Sequence, residues 1–199
     1  IIVDGQGNMA NHQEWLVNPG IDIPTEAAAI HGISTEMARK DGLPAVLAVS
    51  QIATQLNQLF EAGIPVIAFN ACYDFTVMAY EAKRHHVVYS APKPVIDPYV
   101  LDKAMDRYRR GKRTLTEVSA YYQVPLQHAH TSAGDALAAA GVADQLARKF
   151  RQLQVHPDRL HDLQVEWRAE QAKSLEDFLR RKNPEAHVDP RWPVAYDGS

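Results

Sequence analysis

The sequence predicts a mixed α/β fold, in which a sheet is flanked by helices, and three observations carry that prediction. A fully apolar run at 64–69 is typical of a buried, parallel strand. Strand-like and helix-like patterns alternate from residue 44 to residue 150. Turn-forming residues at 4–8 follow a short apolar segment, which indicates a hairpin and therefore some antiparallel strands on one side of the sheet.

The composition sets the outer bounds. The chain has 199 residues, a net charge of −3 and a single cysteine, Cys72, so an internal disulfide is excluded. Its length suits one domain, expected over 1–150, with a helical extension and irregular tail over 151–199. No apolar run is long enough to span a membrane and no signal-peptide pattern opens the chain, so we expect no membrane partner and a cytoplasmic location.

The first quarter of the chain reads as short elements. Ile1–Val3 predicts a strand, and Trp15–Val17 predicts the end of another strand before an Asn-Pro-Gly turn. A short helix is expected at 24–30. Ser34 is the expected N-cap of the next helical piece, with Glu36 in its first turn.

The middle of the chain alternates more clearly. Pro44 suits the first position of a helix that runs to about residue 62, and Gly63 suits its end. The apolar strand at 64–69 follows, and Asn70–Asp74 stand at its carboxyl end and lead into a helix through about Lys83.

The second half continues the alternation. A short strand at Val95–Asp97 leads into a helix through about Tyr108. Thr114, with Glu117 three residues later, predicts a capped helix. Longer helices are expected from Ser132 to about Phe150 and from Pro157 to Lys182.

The strongest candidate for chemistry is the segment from His130 to Asp135. Ser132 is expected to cap the long helix, with Asp135 as the acidic partner of a capping box near the positive end of the helix dipole. A carboxylate fixed on a helix and an imidazole on the preceding loop suit a metal ligand and a general base. The alternative is that Asp135 only caps the helix and that His130 is an ordinary loop histidine.

Two further candidates follow the strands. Asn70 and Asp74 are four residues apart, so one helical turn places both on one face, beyond the carboxyl end of a strand where functional groups gather in α/β sheets. The amide would position a substrate and the carboxylate would serve a cation, unless both merely satisfy the helix N-terminus. Asp97 could join the same crevice, but the favoured interpretation is a plain N-cap.

Other polar groups are less specific. His128 and His130 hint at a zinc pair, but one thiol and no local ligands leave such a site incomplete. Basic residues could contact phosphate or could simply form a solvated helix face. They are Arg107, Arg109, Arg110, Lys112 and Arg113, with a second group at Lys83, Arg84, His85 and His86.

Taken together, these segments resemble the DEDDh family of 3′–5′ exonucleases, which includes the proofreading epsilon subunit of bacterial DNA polymerase III. The resemblance covers most of residues 1–150. It is carried by Leu16–Gly20 and Ile30–Ser34, by Phe69–Asp74, which resembles the family's second motif, and by His130–Asp135, which resembles its third.

The resemblance implies a ribonuclease H-like mixed sheet and hydrolysis of phosphodiester bonds at 3′ ends with two Mg²⁺ or Mn²⁺ ions. It assigns catalytic roles to His130 as general base and to Asp135 and Asp74 as metal ligands. The implied substrate-binding residues are Asn70, Tyr73, His31, Gly32 and Ile33. The implied partners are single-stranded DNA or 3′ ends of nucleic acid, and a DNA polymerase.

One family feature is missing from the sequence. The first motif, Asp-x-Glu on the central strand, has no counterpart, because Asp4-Gly5-Gln6 ends in Gln and stands too close to Val17 for the intervening strands. We therefore expect a chain that lacks the central strand and shows little or no nuclease activity by itself. The open alternatives are an RNA-trimming exonuclease of the same family, a non-catalytic nucleic-acid-binding or partner-docking module, and an α/β domain with chance matches.

Overall fold

The computed structural model describes residues 1–126 and 131–195. Its strands are β1 (Ile2–Val3), β2 (Met9–Asn11), β3 (Val17–Asn18), β4 (Leu43–Pro44), β5 (Val66–Ile67) and β6 (Val95–Ile96). Its helices are α1 (Thr25–His31), α2 (Thr35–Asp41), α3 (Ala45–Glu61), α4 (Ala71–Arg84), α5 (Pro98–Met105), α6 (Leu115–Tyr121), α7 (Ser132–Lys149) and α8 (Pro157–Arg180). The prediction of a mixed α/β fold, with small sheets and helices, is confirmed.

The strands form three separate pairs. β1 and β2 form the predicted antiparallel hairpin, and the Asp4 carboxylate closes its turn by accepting hydrogen bonds from the backbone N–H groups of Gln6 and Asn8, both at 2.9 Å. β5 and β6 are parallel, with Val66 opposite Val95. β3 pairs with β4 in parallel. Within the described residues, no ladder joins one pair to another.

Two helix boundaries in the structure differ from the predicted ones. Pro44 precedes the first turn of α3, at the N-cap, and is not its first residue. α5 ends at Met105, earlier than the expected residue 108. Past that end, the guanidinium of Arg113 donates to the backbone carbonyls of Asp102, Asp106 and Arg109, so these oxygens are bonded without further helical turns.

The basic cluster at 107–113 therefore has two kinds of member. Arg109 and Arg113 both pair with the carboxylate of Asp102, which is fully buried and also accepts a hydrogen bond from the Tyr122 hydroxyl at 2.9 Å. These two arginines stabilise the loop after α5 and are not available for phosphate. Arg110 and Lys112 are exposed.

The C-terminal helix belongs to the packed structure. α8 packs against β6 and α5, and its Trp167 contacts both apolar clusters of the core. The larger side chains of these clusters include Leu101, Leu146, Phe60 and Phe75. No helix among the described residues combines the length and the apolar character that a membrane span requires.

Candidate active site

The first part of the site is the junction between β5 and α4. Asn70 is exposed and has a left-handed backbone, with φ 62° and ψ 45°, a conformation that asparagine tolerates better than most residues. Its side chain makes no capping hydrogen bond, so the interpretation of Asn70 as an ordinary side-chain cap is wrong. Asp74 lies in the first turn of α4 as predicted, with its side chain reaching solvent. The protein around the carboxyl group still desolvates it enough to raise the pKa of Asp74.

The role of the cap is taken by Asp97, the residue after β6. Its carboxylate accepts hydrogen bonds from the backbone N–H groups of Asn70 at 2.9 Å and Ala71 at 3.0 Å, as well as from Tyr99 N–H at 2.9 Å in its own helix. Asp97 is 1% exposed, and this burial raises its pKa to about 6, against the hydrogen bonds, which lower it. The favoured interpretation of Asp97 as an N-cap is therefore confirmed. It caps two helices at once.

The second part of the site is the N-terminus of α7. The N-cap is Thr131 and not Ser132 as predicted: the Thr131 hydroxyl accepts a hydrogen bond from Gly134 N–H at 3.1 Å. Asp135 consequently lies one position deeper in the first turn than a capping-box acid. It is half-buried, and its backbone N–H donates to the Thr131 carbonyl at 3.0 Å. His128 and His130 lie outside the described residues.

A contact that the sequence did not indicate lies beside Asp135. The hydroxyl of Ser132 donates a hydrogen bond to the carboxylate of Glu14, and that bond is the main reason why the pKa of Glu14 is lowered. His12 lies 3.5 Å from the same carboxylate. The two ends of the Ser132–Glu14 contact are 118 residues apart, so no local pattern could have revealed it.

The expected substrate loop forms the end of α1. Gly32 is the C-cap, with the left-handed φ of 75° that glycine adopts without strain. The Nδ1 atom of exposed His31 accepts a hydrogen bond from Ile33 N–H at 3.1 Å, which fixes the imidazole over the turn. Tyr73, on the first turn of α4, is 70% exposed and presents an aromatic ring to solvent.

The two candidate carboxylates occupy equivalent places on two helices. Asp74 and Asp135 each lie in a first turn, where the helix dipole favours negative charge, and α7 packs against β5, the strand that leads into α4. Their oxygen donors suit Mg²⁺ or Mn²⁺. In the parts of the chain that the structure describes, however, no three His, Cys, Asp or Glu side chains converge on one point in a way that could hold an ion. The donor chemistry of Asp74 and Asp135 fits such ions, while the described residues alone do not bring together a complete ligand set.

The comparison with known families gives one finding. A family model described as Exonuclease (RNase_T) matches residues 1–143, a span that includes the hairpin, the start of α4, Asp97 and the first turns of α7. A search of curated proteins found no match.

Proposed function

This chain belongs to the Exonuclease family, and from that premise we propose that it is a metal-dependent 3′–5′ exonuclease that acts on DNA and releases nucleoside monophosphates. The family supports a nuclease with a nucleic-acid substrate and a divalent cation. The finer assignment rests on one observation: Asp74 and Asp135 lie in the first turns of two helices, of which α4 follows β5 in the chain and α7 packs against β5.

The proposed roles follow the chemistry of each side chain. Asp135 and Asp74 would hold the ions, which when bound neutralise charge on the attacking and leaving oxygens. His130 would accept a proton from the attacking water, because an imidazole titrates near neutral pH. Asn70, Tyr73 and the His31–Ile33 turn would bind the terminal nucleotide, with the exposed tyrosine ring suited to stacking on a base.

We further propose that the complete site needs a strand between β1 and β5 that carries the Asp-x-Glu pair. A cavity of about 540 Å³ supports this proposal, because its lining combines Val3–Gly7 of the hairpin, Ile67 of β5, Ile96 of β6 and residues of α7. A parallel or antiparallel strand in this gap would join the two separate strand pairs into one mixed sheet. Its two acids would supply the ligands that Asp74 and Asp135 lack.

The test is a digestion assay on 5′-labelled single-stranded DNA and, in parallel, RNA. The 199-residue chain is compared with a form extended at its N-terminus by a strand that carries Asp-x-Glu, and both are assayed with Mg²⁺, with Mn²⁺ and with chelator. We expect stepwise, chelator-sensitive shortening from the 3′ end, reduced at least about 100-fold in Asp74→Asn and Asp135→Asn. The matched control is Asp144→Asn, which removes an exposed carboxylate from the same helix as Asp135, where it forms an ion pair with Arg148 at 2.7 Å.

The outcomes separate the alternatives. Digestion that chelator or Asp135→Asn leaves unchanged would contradict the proposed site. Preferential shortening of RNA would favour an RNA-trimming exonuclease. Binding without digestion would favour a non-catalytic nucleic-acid module. The 199-residue chain alone is expected to show little or no metal-dependent activity, and measurable digestion by it would contradict the proposed need for a further strand.

A further inference from the structure

Residues 187–195, which we call the C-terminal strap, lie along the first turns of α4. The strap is held in place by α8, because the Glu176 carboxylate accepts hydrogen bonds from Val188 N–H at 2.9 Å and pairs with His187 at 2.8 Å. Its Trp192 is buried, with its ring 5.0 Å from that of His161. These residues fall outside the span matched by the family model.

The strap reaches the start of α4 at three points. Two are direct: the Cys72 thiol donates to the Arg191 carbonyl at 3.7 Å, and Ala195 N–H donates to the Thr76 hydroxyl at 2.9 Å. The third is indirect, because the indole Nε1–H of Trp192 donates to the Asp97 carboxylate at 3.3 Å. Asp74 is two residues from both Cys72 and Thr76 in the sequence of α4, so its side chain projects from a different face of the helix than the one that the strap contacts.

The Asp97 carboxylate, through which Trp192 acts, accepts two hydrogen bonds on each of its oxygens. One carboxylate oxygen accepts from Asn70 and Tyr99, and the other accepts from Ala71 and Trp192. With two donors on each oxygen, the plane of the carboxylate is fixed. The backbone N–H of Asp97 is held in turn by Gln164 of α8, at 2.7 Å. Loss of the indole donor would allow the carboxylate to rotate and would weaken the hydrogen bonds that it accepts from the first amides of α4.

We propose that Trp192, acting through Asp97, is a positioning residue for the first turn of α4, and that the strap thereby belongs to the functional unit. The role of that turn in catalysis rests on the function proposed above. The first turn of α4 carries both Asn70 and Asp74, and its amides bond to a carboxylate whose orientation depends on the strap.

The test uses the variant Trp192→Phe, which keeps an aromatic ring and removes the N–H donor. The control is Trp15→Phe, which also removes an indole hydrogen bond, donated to Gln51 at 2.9 Å. Trp15 is not among the four donors to the Asp97 carboxylate. We expect native-state amide exchange at Asn70 and Ala71 to accelerate at least about tenfold in Trp192→Phe and to stay unchanged in Trp15→Phe. In the form of the enzyme that carries the proposed Asp-x-Glu strand, kcat should fall about tenfold while KM changes less than about twofold.

Equal exchange at Asn70 and Ala71 in Trp192→Phe and the wild type would overturn the inference, as would equal acceleration in Trp15→Phe. Faster exchange with an unchanged kcat would overturn the claim that ordering of this turn by Trp192 supports catalysis. If Trp192→Phe does not fold, Thr76→Val removes the acceptor for Ala195 and is measured on the same amides with the same criteria. If the form that carries the Asp-x-Glu strand is inactive without any substitution, the proposed function is contradicted, and the exchange rates still decide whether the strap orders this turn.

Discussion

β5 and β6 are adjacent parallel strands that end in the same way in the sequence and in opposite ways in the structure. In each case an apolar segment is followed by a polar residue and a helix, although Asn70 comes three residues after the end of β5 and Asp97 comes directly after β6. After β5, Asn70 is exposed and its side chain caps nothing. After β6, Asp97 is 1% exposed, and both of its oxygens are occupied by donors.

The difference shows how one residue can leave another available. The first amides of a helix need acceptors, and an N-cap side chain ordinarily provides them. Here Asp97 provides them across the sheet for α4 as well as for α5, so the Asn70 side chain is not needed for that purpose. A polar residue at the carboxyl end of a strand is therefore a candidate for chemistry only if the protein does not already use its hydrogen-bonding capacity.

Removing the two acids separately should give the largest contrast. Asp97→Ala leaves buried donors on two helices and one indole unpaired, and we expect a loss of about 3 kcal/mol in the free energy of unfolding. Asp74→Asn should change that free energy by less than about 0.5 kcal/mol, because its side chain reaches solvent. Urea denaturation of both variants at neutral pH makes the measurement. A similar loss of stability in Asp97→Ala and Asp74→Asn would contradict the claim that the acid after β6 supports the fold while the acid after β5 does not.

The burial of Asp97 should also make the stability of the protein depend on pH. Because burial raises the pKa of Asp97 to about 6, the folded state keeps a proton between pH 4 and pH 6 that the unfolded state has released. Stability should therefore fall as pH rises through this window, by roughly 2 to 3 kcal/mol relative to Asp97→Asn, whose side chain does not titrate. Parallel denaturation curves from pH 4 to pH 7 measure the difference. A difference of opposite sign would show that the four donors outweigh burial.

The smallest expected effect separates backbone strain from chemistry at Asn70. Asn70→Ala places a β-carbon without a compensating polar group in a left-handed conformation and should cost about 1 kcal/mol, whereas Asn70→Gly should be neutral within about 0.5 kcal/mol. Both remove the side-chain amide, so both should lower to a similar extent the nuclease activity of the form that carries the proposed Asp-x-Glu strand. Activity that follows stability, with Asn70→Gly fully active, would show that only the backbone shape matters.

The local elements could be predicted because their causes are local. The Ser34 and Thr114 caps each accept a hydrogen bond from an amide three residues on, and both are confirmed. The predicted capping at the start of α7 failed because two neighbouring hydroxyl residues compete there. Ser132 donates to Glu14, 118 residues away, and Thr131 takes the capping position.

The candidate site was predictable only in part, for the same reason. The placement of Asp74 in the first turn of a helix follows from the strand-to-helix pattern at 64–74, and the structure agrees. The use of Asp97 depends on contacts with Asn70, 27 residues away, and with Trp192, 95 residues away. No periodicity in the sequence reports such pairings. The roles of His130, Asp135 and the metal ions stay predictions.

The contacts between the strap and α4 can form only late in translation, because the strap is made long after α4. Arg191 and Ala195 are each 119 residues later in the chain than their partners on α4, so a ribosome that adds 5–20 residues per second needs roughly ten seconds between them. During that interval the nascent chain can form α4 but not the last hydrogen bonds of its first turn. Maturation of this turn is therefore a late event in biosynthesis, which comes after translation of the whole matched family domain.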